Sequence, residues 1–337
     1  MRRARTILAI LIGLAVLHGA VWFFVARAVR DRIDGAVAVA VAGATGIDLK
    51  IQLHALAGYP FAAGVAWSGV EAGPAGLPLG SRLATDRMVL ALTLLPPWSL
   101  RVDLPDPVRL TTPDGATRTF GAADARITAP CCHPTEFALA GTAAVLSVGS
   151  APVARIAQLT GTLRPSDRTI AISTAGIELM SGGAPLAPRV ATASATLTLE
   201  GPPPPMALAS GQAGIDALIA WRDGGGAIEL GHAAIGWGPV DVEGDGRFTL
   251  DPLLQPAATG QARIAGGSEA LDALSAAGLL APRAAQAARA VLGLLPADAI
   301  PVGPGQRRAV RVPITLANGR ISLGGFPVLR IAPWTLP

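Results

Sequence analysis

The chain has 337 residues, 51% hydrophobic and 15% charged, with 40 glycines, 29 prolines and a net charge of +4. So little charge among so many apolar residues excludes an intrinsically disordered chain. Lys50 is the sole lysine, the arginines are scattered and Tyr59 is the sole tyrosine, so there is no basic stripe interleaved with aromatics and no nucleic-acid partner is expected.

Residues 7–26 read ILAILIGLAVLHGAVWFFVA, with His18 the one clearly polar side chain. A helix of that length rises about 30 Å, the hydrocarbon thickness of a bilayer. We read residues 1–6 as a cytoplasmic N-terminus and residues 7–26 as a single-pass anchor in the inner membrane, with the bulk of the chain periplasmic. Trp22, Phe23 and Phe24 suit a membrane interface. A cleaved signal is the competing reading, because Ala26-Arg27-Ala28 fits a small-x-small site. Signal cores, however, run about 7–15 residues and end at small side chains. Arg2, Arg3 and Arg5 before the span nearly balance Arg27, Arg30 and Arg32 after it, and the short N-terminal tail sets the orientation. Residues 27–46 continue as a helical extension.

From residue 47 to 337 the pattern is that of an exported β-rich domain. Residues 49–54 alternate apolar and polar, which predicts one half-buried strand with Leu49, Ile51 and Leu53 facing inward. Gly58-Tyr59-Pro60-Phe61 is a turn, and residues 61–70 form the next strand. Strands over 82–95 and 98–110 flank Pro96-Pro97, where a corner is expected. Further strands are predicted over 118–128, 137–148, 154–164, 169–180 and 190–200. The stiff run Gly201 to Pro205 is the best internal boundary.

Beyond it, residues 214–222 predict a short helix, followed by strands over 227–235, 240–243, 247–251 and 259–264. Ser268 is the expected N-cap of a helix over 269–277, with Glu269 placed near its positive end. Pro282 opens another helix, to residue 295. Strands over 309–316 and 320–323 form a hairpin around Asn318-Gly319. The fold class is therefore mainly β with some α. An N-terminal transmembrane helix precedes a long curved antiparallel sheet or groove with a few inserted helices, too few to cover every strand.

No catalytic motif is found: H-E-x-x-H, C-x-x-C, G-x-S-x-G and a Walker A loop are all missing. His54, His133 and His232 are widely spaced. Cys131-Cys132-His133 has no partner pair for a tetrahedral metal, and the two cysteines are read as idle thiols. Gly236-Trp237-Gly238 leads into Pro239 and a strand, so no helix N-terminus would meet a pyrophosphate. Asp241, Glu243, Asp245 and Asp251 read as the wet face of a strand and not as a calcium site. We therefore expect no enzyme activity, no catalytic residues, no metal and no cofactor.

Several segments together resemble the bacterial family DUF2125. They are the anchor with its amphipathic continuation, the Gly58-Tyr59-Pro60-Phe61 turn and the proline-broken strand at Pro96-Pro97-Trp98. The C-terminal half adds Phe248-Thr249-Leu250-Asp251, Gln255-Pro256, Gly260, Ile264-Ala265-Gly266 and the terminal Asn318-Gly319-Arg320 hairpin. The Leu-Asp, Gln-Pro and Ile-x-Gly run with that hairpin also looks like the C-terminal pattern of AsmA-like envelope proteins, which resemble bridge-like lipid carriers. Ala62-Ala63 stand where the DUF2125 pattern implies an arginine after Phe61. The resemblance implies a non-enzymatic, membrane-anchored envelope protein that shields or carries lipid in an apolar β-groove lined by Leu49, Ile51 and Leu53, with other envelope proteins as partners. The alternatives are a periplasmic scaffold that binds another envelope protein through a sheet edge, and an enzyme whose site has no recognised motif. A reporter enzyme active only outside the cytoplasm, fused after Pro337, should be active and membrane-bound. Activity in a soluble periplasmic fraction would show that the segment is cleaved.

Overall fold

Alternation of Val, Ile, Leu and Ala with Thr, Ser and charged residues favours extended chain, and short turns make each strand pair with the next antiparallel. A computed structural model describes residues 2–39, 49–73, 81–96, 98–112, 115–131, 135–180, 187–202, 212–278, 281–297, 307 and 309–332, with the side chains of 2–10, 36–39, 212–213, 284, 287, 291 and 326–329 left out of the description. Among these residues eighteen strands form one sheet. In chain order they are β1 Leu49–Lys50, β2 Leu53–Ala57, β3 Ala62–Ala72, β4 Arg82–Thr93, β5 Ser99–Asp103, β6 Val108–Thr111, β7 Thr117–Gly121, β8 Arg126–Pro130 and β9 Phe137–Val148. They continue as β10 Ala151–Arg164, β11 Thr169–Leu179, β12 Arg189–Glu200, β13 Ala227–Trp237, β14 Val240–Leu250, β15 Pro256–Ala265, β16 Val310–Ala317, β17 Arg320–Leu323 and β18 Phe326–Arg330. The helices are α1 Arg2–Val39, α2 Gln212–Asp223, α3 Gly267–Ala276 and α4 Pro282–Leu294.

From β9 to β18 the sheet is an unbroken antiparallel meander. Before it, β1 and β2 lie end to end along β3, β6 and β5 along β4, and β7 and β8 along β9. β12 pairs directly with β13, so the sheet runs straight across the connector at 201–205, of which 203–205 fall outside the described residues.

One row of interruptions crosses most of this sheet. Gly69 of β3 and Asp86 of β4 are skipped between Ser68↔Arg87 and Val70↔Thr85. Ala143, Ala157 and Gly176 are skipped in β9, β10 and β11, and Ala191 is bulged in β12. The gap between β5 and β6 (104–107) and that between β7 and β8 (122–125) lie on the same row, joined by Leu104 N–H to Ala125 O at 2.9 Å and Ala123 N–H to Thr142 O at 3.0 Å. Gly69 (φ +61°), Ala143 (φ +48°) and Gly176 (φ +63°) take the left-handed conformation of a bulge residue. An extra residue at the same height in each strand leaves the register intact on both sides, but moves every later side chain to the opposite face.

That row overturns several expectations of regular period. Residues 49–54 are not one strand. Ile51 and Gln52 separate β1 from β2, and Leu53 is turned to the face opposite Leu49. The strand expected over 98–110 is β5 plus β6, and that over 118–128 is β7 plus β8, each divided at the row. Residues 240–251, expected as two strands, form the single β14, because Gly244 and Gly246 approach β15 closely enough to remain paired. β18 was not anticipated. Residues 27–39 are the expected helical extension, since α1 runs without a break to Val39, and 40–46 lie outside the described residues. The N-cap of α3 is Gly266 (φ 74°) and not Ser268. A Cβ at Gly266 would lie 1.8 Å from Pro239 O, so the β13–β14 turn decides where that helix begins.

The chain exposes 19850 Å², where a compact protein of 34.0 kDa exposes roughly 13,000 Å². A sheet without a second layer accounts for the excess. The core is correspondingly small: Val65, Trp67 and Val70 of β3 with Ile33 of α1, and Leu218 and Trp221 of α2 with Leu250 and Leu254. The row of bulges can be tested at Gly176, whose Cβ would stand 2.9 Å from that of Ala157. Gly176→Val should destabilise the protein by about 2–3 kcal/mol, since it adds a branched side chain at positive φ. Chemical denaturation measures the loss.

Candidate functional site

Cross-strand register shows which residues share a face. Below the row, one face carries Phe137 and Leu139 (β9), Leu159 and Leu163 (β10), Ile170 and Ile172 (β11), and Leu197 (β12). It continues with Ile228 and Leu230 (β13), Phe248 (β14), Ala258 (β15), Ile314 and Leu316 (β16), and Ile321 (β17). Above the row the parity changes in β9 to β12 and the apolar residues change with it, to Leu146, Ile156, Ile177 and Val190. The bulges and the shifted sequence pattern cancel. One face thus remains apolar across the whole width of the meander.

The other face is polar. Glu178 and Arg189 are directly opposed on β11 and β12, and Arg189 Nη2 donates to Glu178 Oε1 at 2.9 Å. Arg263 and Glu243 are opposed on β15 and β14 at 2.7 Å, and Arg126 and Asp103 on β8 and β5 at 2.8 Å. Arg109 donates to Asp86 at the row at 3.1 Å, and that hydrogen bond holds the Asp86 carboxyl below the usual carboxylate range. Each pair is reached by solvent, from about a quarter exposed at Arg263–Glu243 to more than half at Asp86, and is worth about 0.2–1 kcal/mol. Together they keep this face wet.

The described helices cover only the margins of the apolar face. α1 packs on β2 and β3, α2 covers Ile228, Phe248 and Leu250, and α3 meets β14. Trp221 is fixed there by donating its Nε1–H to Pro202 O at 3.1 Å. Between these margins Leu163 and Ile172 remain 40% and 43% exposed. At about 4.8 Å per strand, the apolar face measures several nanometres across the strand direction. It is wide enough for a row of acyl chains, and it carries no charged residue at the positions named above.

The structure separates the three residues proposed from sequence. Leu49 and Ile51 pack against the Val65, Trp67 and Val70 cluster beneath α1. Leu53 pairs with Ser68 on the polar face and is 68% exposed, because the interruption at Ile51–Gln52 reverses its direction. The uncovered apolar positions lie instead on β9 to β12, whose residues were legible as strands. Their common face was hidden by the parity change at Ala143, Ala157, Gly176 and Ala191. Two patches of leucine and isoleucine separated by an even-for-odd switch are the signal that could have revealed it.

The residues considered for chemistry stay apart. His54 Nδ1 lies 3.2 Å from Asp34 of α1, His18 meets Pro60 O at 3.0 Å, and His232 sits in the bulged part of β13. Cys132 and His133 lie outside the described residues. Asp241 pairs with Arg307 and Glu243 with Arg263. Asp251 Oδ1 accepts from the N–H groups of Leu253 and Gln255, both at 2.8 Å, closing the β14–β15 turn. Among the described residues no three His, Cys, Asp or Glu side chains are placed to hold a metal ion.

A family model described as an uncharacterized protein conserved in bacteria (DUF2125) matches residues 22–332. No curated protein and no solved structure matches the chain.

The two kinds of apolar site should respond differently to charge. Ile172→Asp, on the uncovered face, should cost about 1 kcal/mol. Val65→Asp, at a fully buried position, should cost 4 kcal/mol or more, because water cannot reach the carboxylate. Thermal or urea unfolding of both variants checks the contrast.

Proposed function

We propose a lipid-holding role for this chain, which belongs to the DUF2125 family. Anchored in the inner membrane by α1, it extends its sheet into the periplasm and shelters acyl chains on the apolar face of β9 to β17. One observation carries this reading: a continuous apolar face lies opposite a face of cross-strand ion pairs, and no described helix covers its middle. An exposed apolar surface of that extent calls for a ligand or a partner. Acyl chains fit it better than a protein segment would, since the register keeps polar side chains off the named rows and leaves little to fix a peptide's position. The role needs no chemical step, so the protein is read as a non-enzyme without cofactor.

From Leu11 to Val21 the large apolar side chains of α1 are exposed, as are Phe23 and Phe24, whereas Trp22, Val25, Ala26, Val29 and Ile33 are half-buried or buried. A form beginning at Val25 keeps Ile33 in the core cluster with Val65, Trp67 and Val70 and gives up the contacts of His18 and Trp22 with the β2–β3 turn. Purified without detergent, it should carry phospholipid visible by mass spectrometry. Ile172→Asp and Leu197→Asp should each lower occupancy about tenfold, the equivalent of about 1.4 kcal/mol of binding. A folded, lipid-free protein would favour the scaffold reading.

A further inference from the structure

The turns at the foot of the first strands carry large exposed apolar side chains. Tyr59 and Phe61, between β2 and β3, are 57% and 67% exposed, and Leu95 and Trp98, between β4 and β5, are 60% and 61% exposed. The two turns are joined by Leu94 N–H donating to Phe61 O at 2.9 Å. Neither turn contains a charged residue, whereas the β10–β11 turn at the same end of the sheet reads Pro165-Ser166-Asp167-Arg168.

These turns are fixed to α1 at a defined height. Trp22 Nε1–H donates to Ala62 O at 2.5 Å, its ring meets Tyr59 edge-on at 5.3 Å between centroids, and His18 Nε2 lies 3.0 Å from Pro60 O. The apolar stretch of α1 carries its last exposed large side chains at Phe23 and Phe24. From Ile7 to Phe24 it spans about 27 Å, so all of it is needed to cross a hydrocarbon layer of about 30 Å. Trp22 then stands at the membrane boundary, and the turns held against it stand there too. Aromatic and apolar side chains are favoured at that level.

We infer that the Tyr59–Phe61 and Leu95–Trp98 turns are inserted in the lipid headgroup region of the same membrane that α1 crosses, so that the sheet stands on the bilayer with its first strands. The inference rests on α1 as a membrane span and deepens the lipid-holding reading, since it brings Leu92 and Leu100, on the apolar face just above the turns, within reach of acyl chains.

The test uses the full chain in vesicles of phosphatidylethanolamine and phosphatidylglycerol. Cys131 and Cys132 are replaced by serine, and a bimane label is placed at F61C, at L95C or, as a control on the β9–β10 turn at the opposite end, at S150C. A headgroup nitroxide lipid should quench the F61C and L95C labels at least threefold more than the S150C label, while aqueous iodide should show the reverse order. Equal quenching at all three sites, or iodide access at F61C and L95C matching S150C, would overturn the inference. Should either labelled variant misfold by circular dichroism, the other carries the test. Resistance to carbonate extraction reports the anchor independently, and lipid found on the form beginning at Val25 reports the groove. A wet turn on an anchored, lipid-loaded protein therefore counts against the inserted turns alone.

Discussion

A β-strand has two faces, and when a sheet has only one layer its apolar face must either curl onto itself, be covered or stay open. This constraint governs the protein. The sheet keeps its apolar side chains on one face across strands broken at the same height, although each break reverses the side-chain alternation. Val70 follows Trp67 on the buried side of β3, and Ile177 follows Ile172 on the apolar side of β11, each pair separated by a left-handed glycine. If either the bulges or the shifted pattern were lost, a band of Arg, Glu and Thr would turn into the apolar face and divide it.

Aligned bulges also give the sheet a bend. Each bulge increases local twist, and on adjacent strands the increments add along one line. The close backbone approaches of Gly64 to Leu90 O and of Gly260 to Asp245 O, where a Cβ would stand at 2.0 Å and 2.3 Å, bring strands nearer than side chains would allow.

α1 joins two environments within one helix. From Leu11 to Phe24 its large apolar side chains are exposed apart from Trp22, which meets the β2–β3 turn. From Val25 they face the sheet, and Asp34 reaches His54 while Ile33 enters the core with Val65 and Trp67. The apolar N-terminal helix and the sheet are consequently joined by direct packing and not by a linker.

Much of this was legible in the residues. The apolar helix over 7–26, the strands over 137–148 and 320–323, the helix opened by Pro282 and the turn at Asn318-Gly319 follow from local preferences: apolar length, period two, a fixed φ and a tolerance of positive φ (53° and 67° at the turn). Such signals operate over a few residues and need no partner. The sequence by itself therefore determined a β-rich chain with an apolar N-terminal helix and two-faced strands. What only the tertiary structure decided is which residues share a face. Leu53 falls on the polar side and Ile172 on the open apolar side because side-chain direction depends on the count of residues since the last bulge. A bulge is held by the strand alongside it, as Ala157 beside Gly176 shows. That pairing joins residues far apart in the chain, and no local preference encodes it.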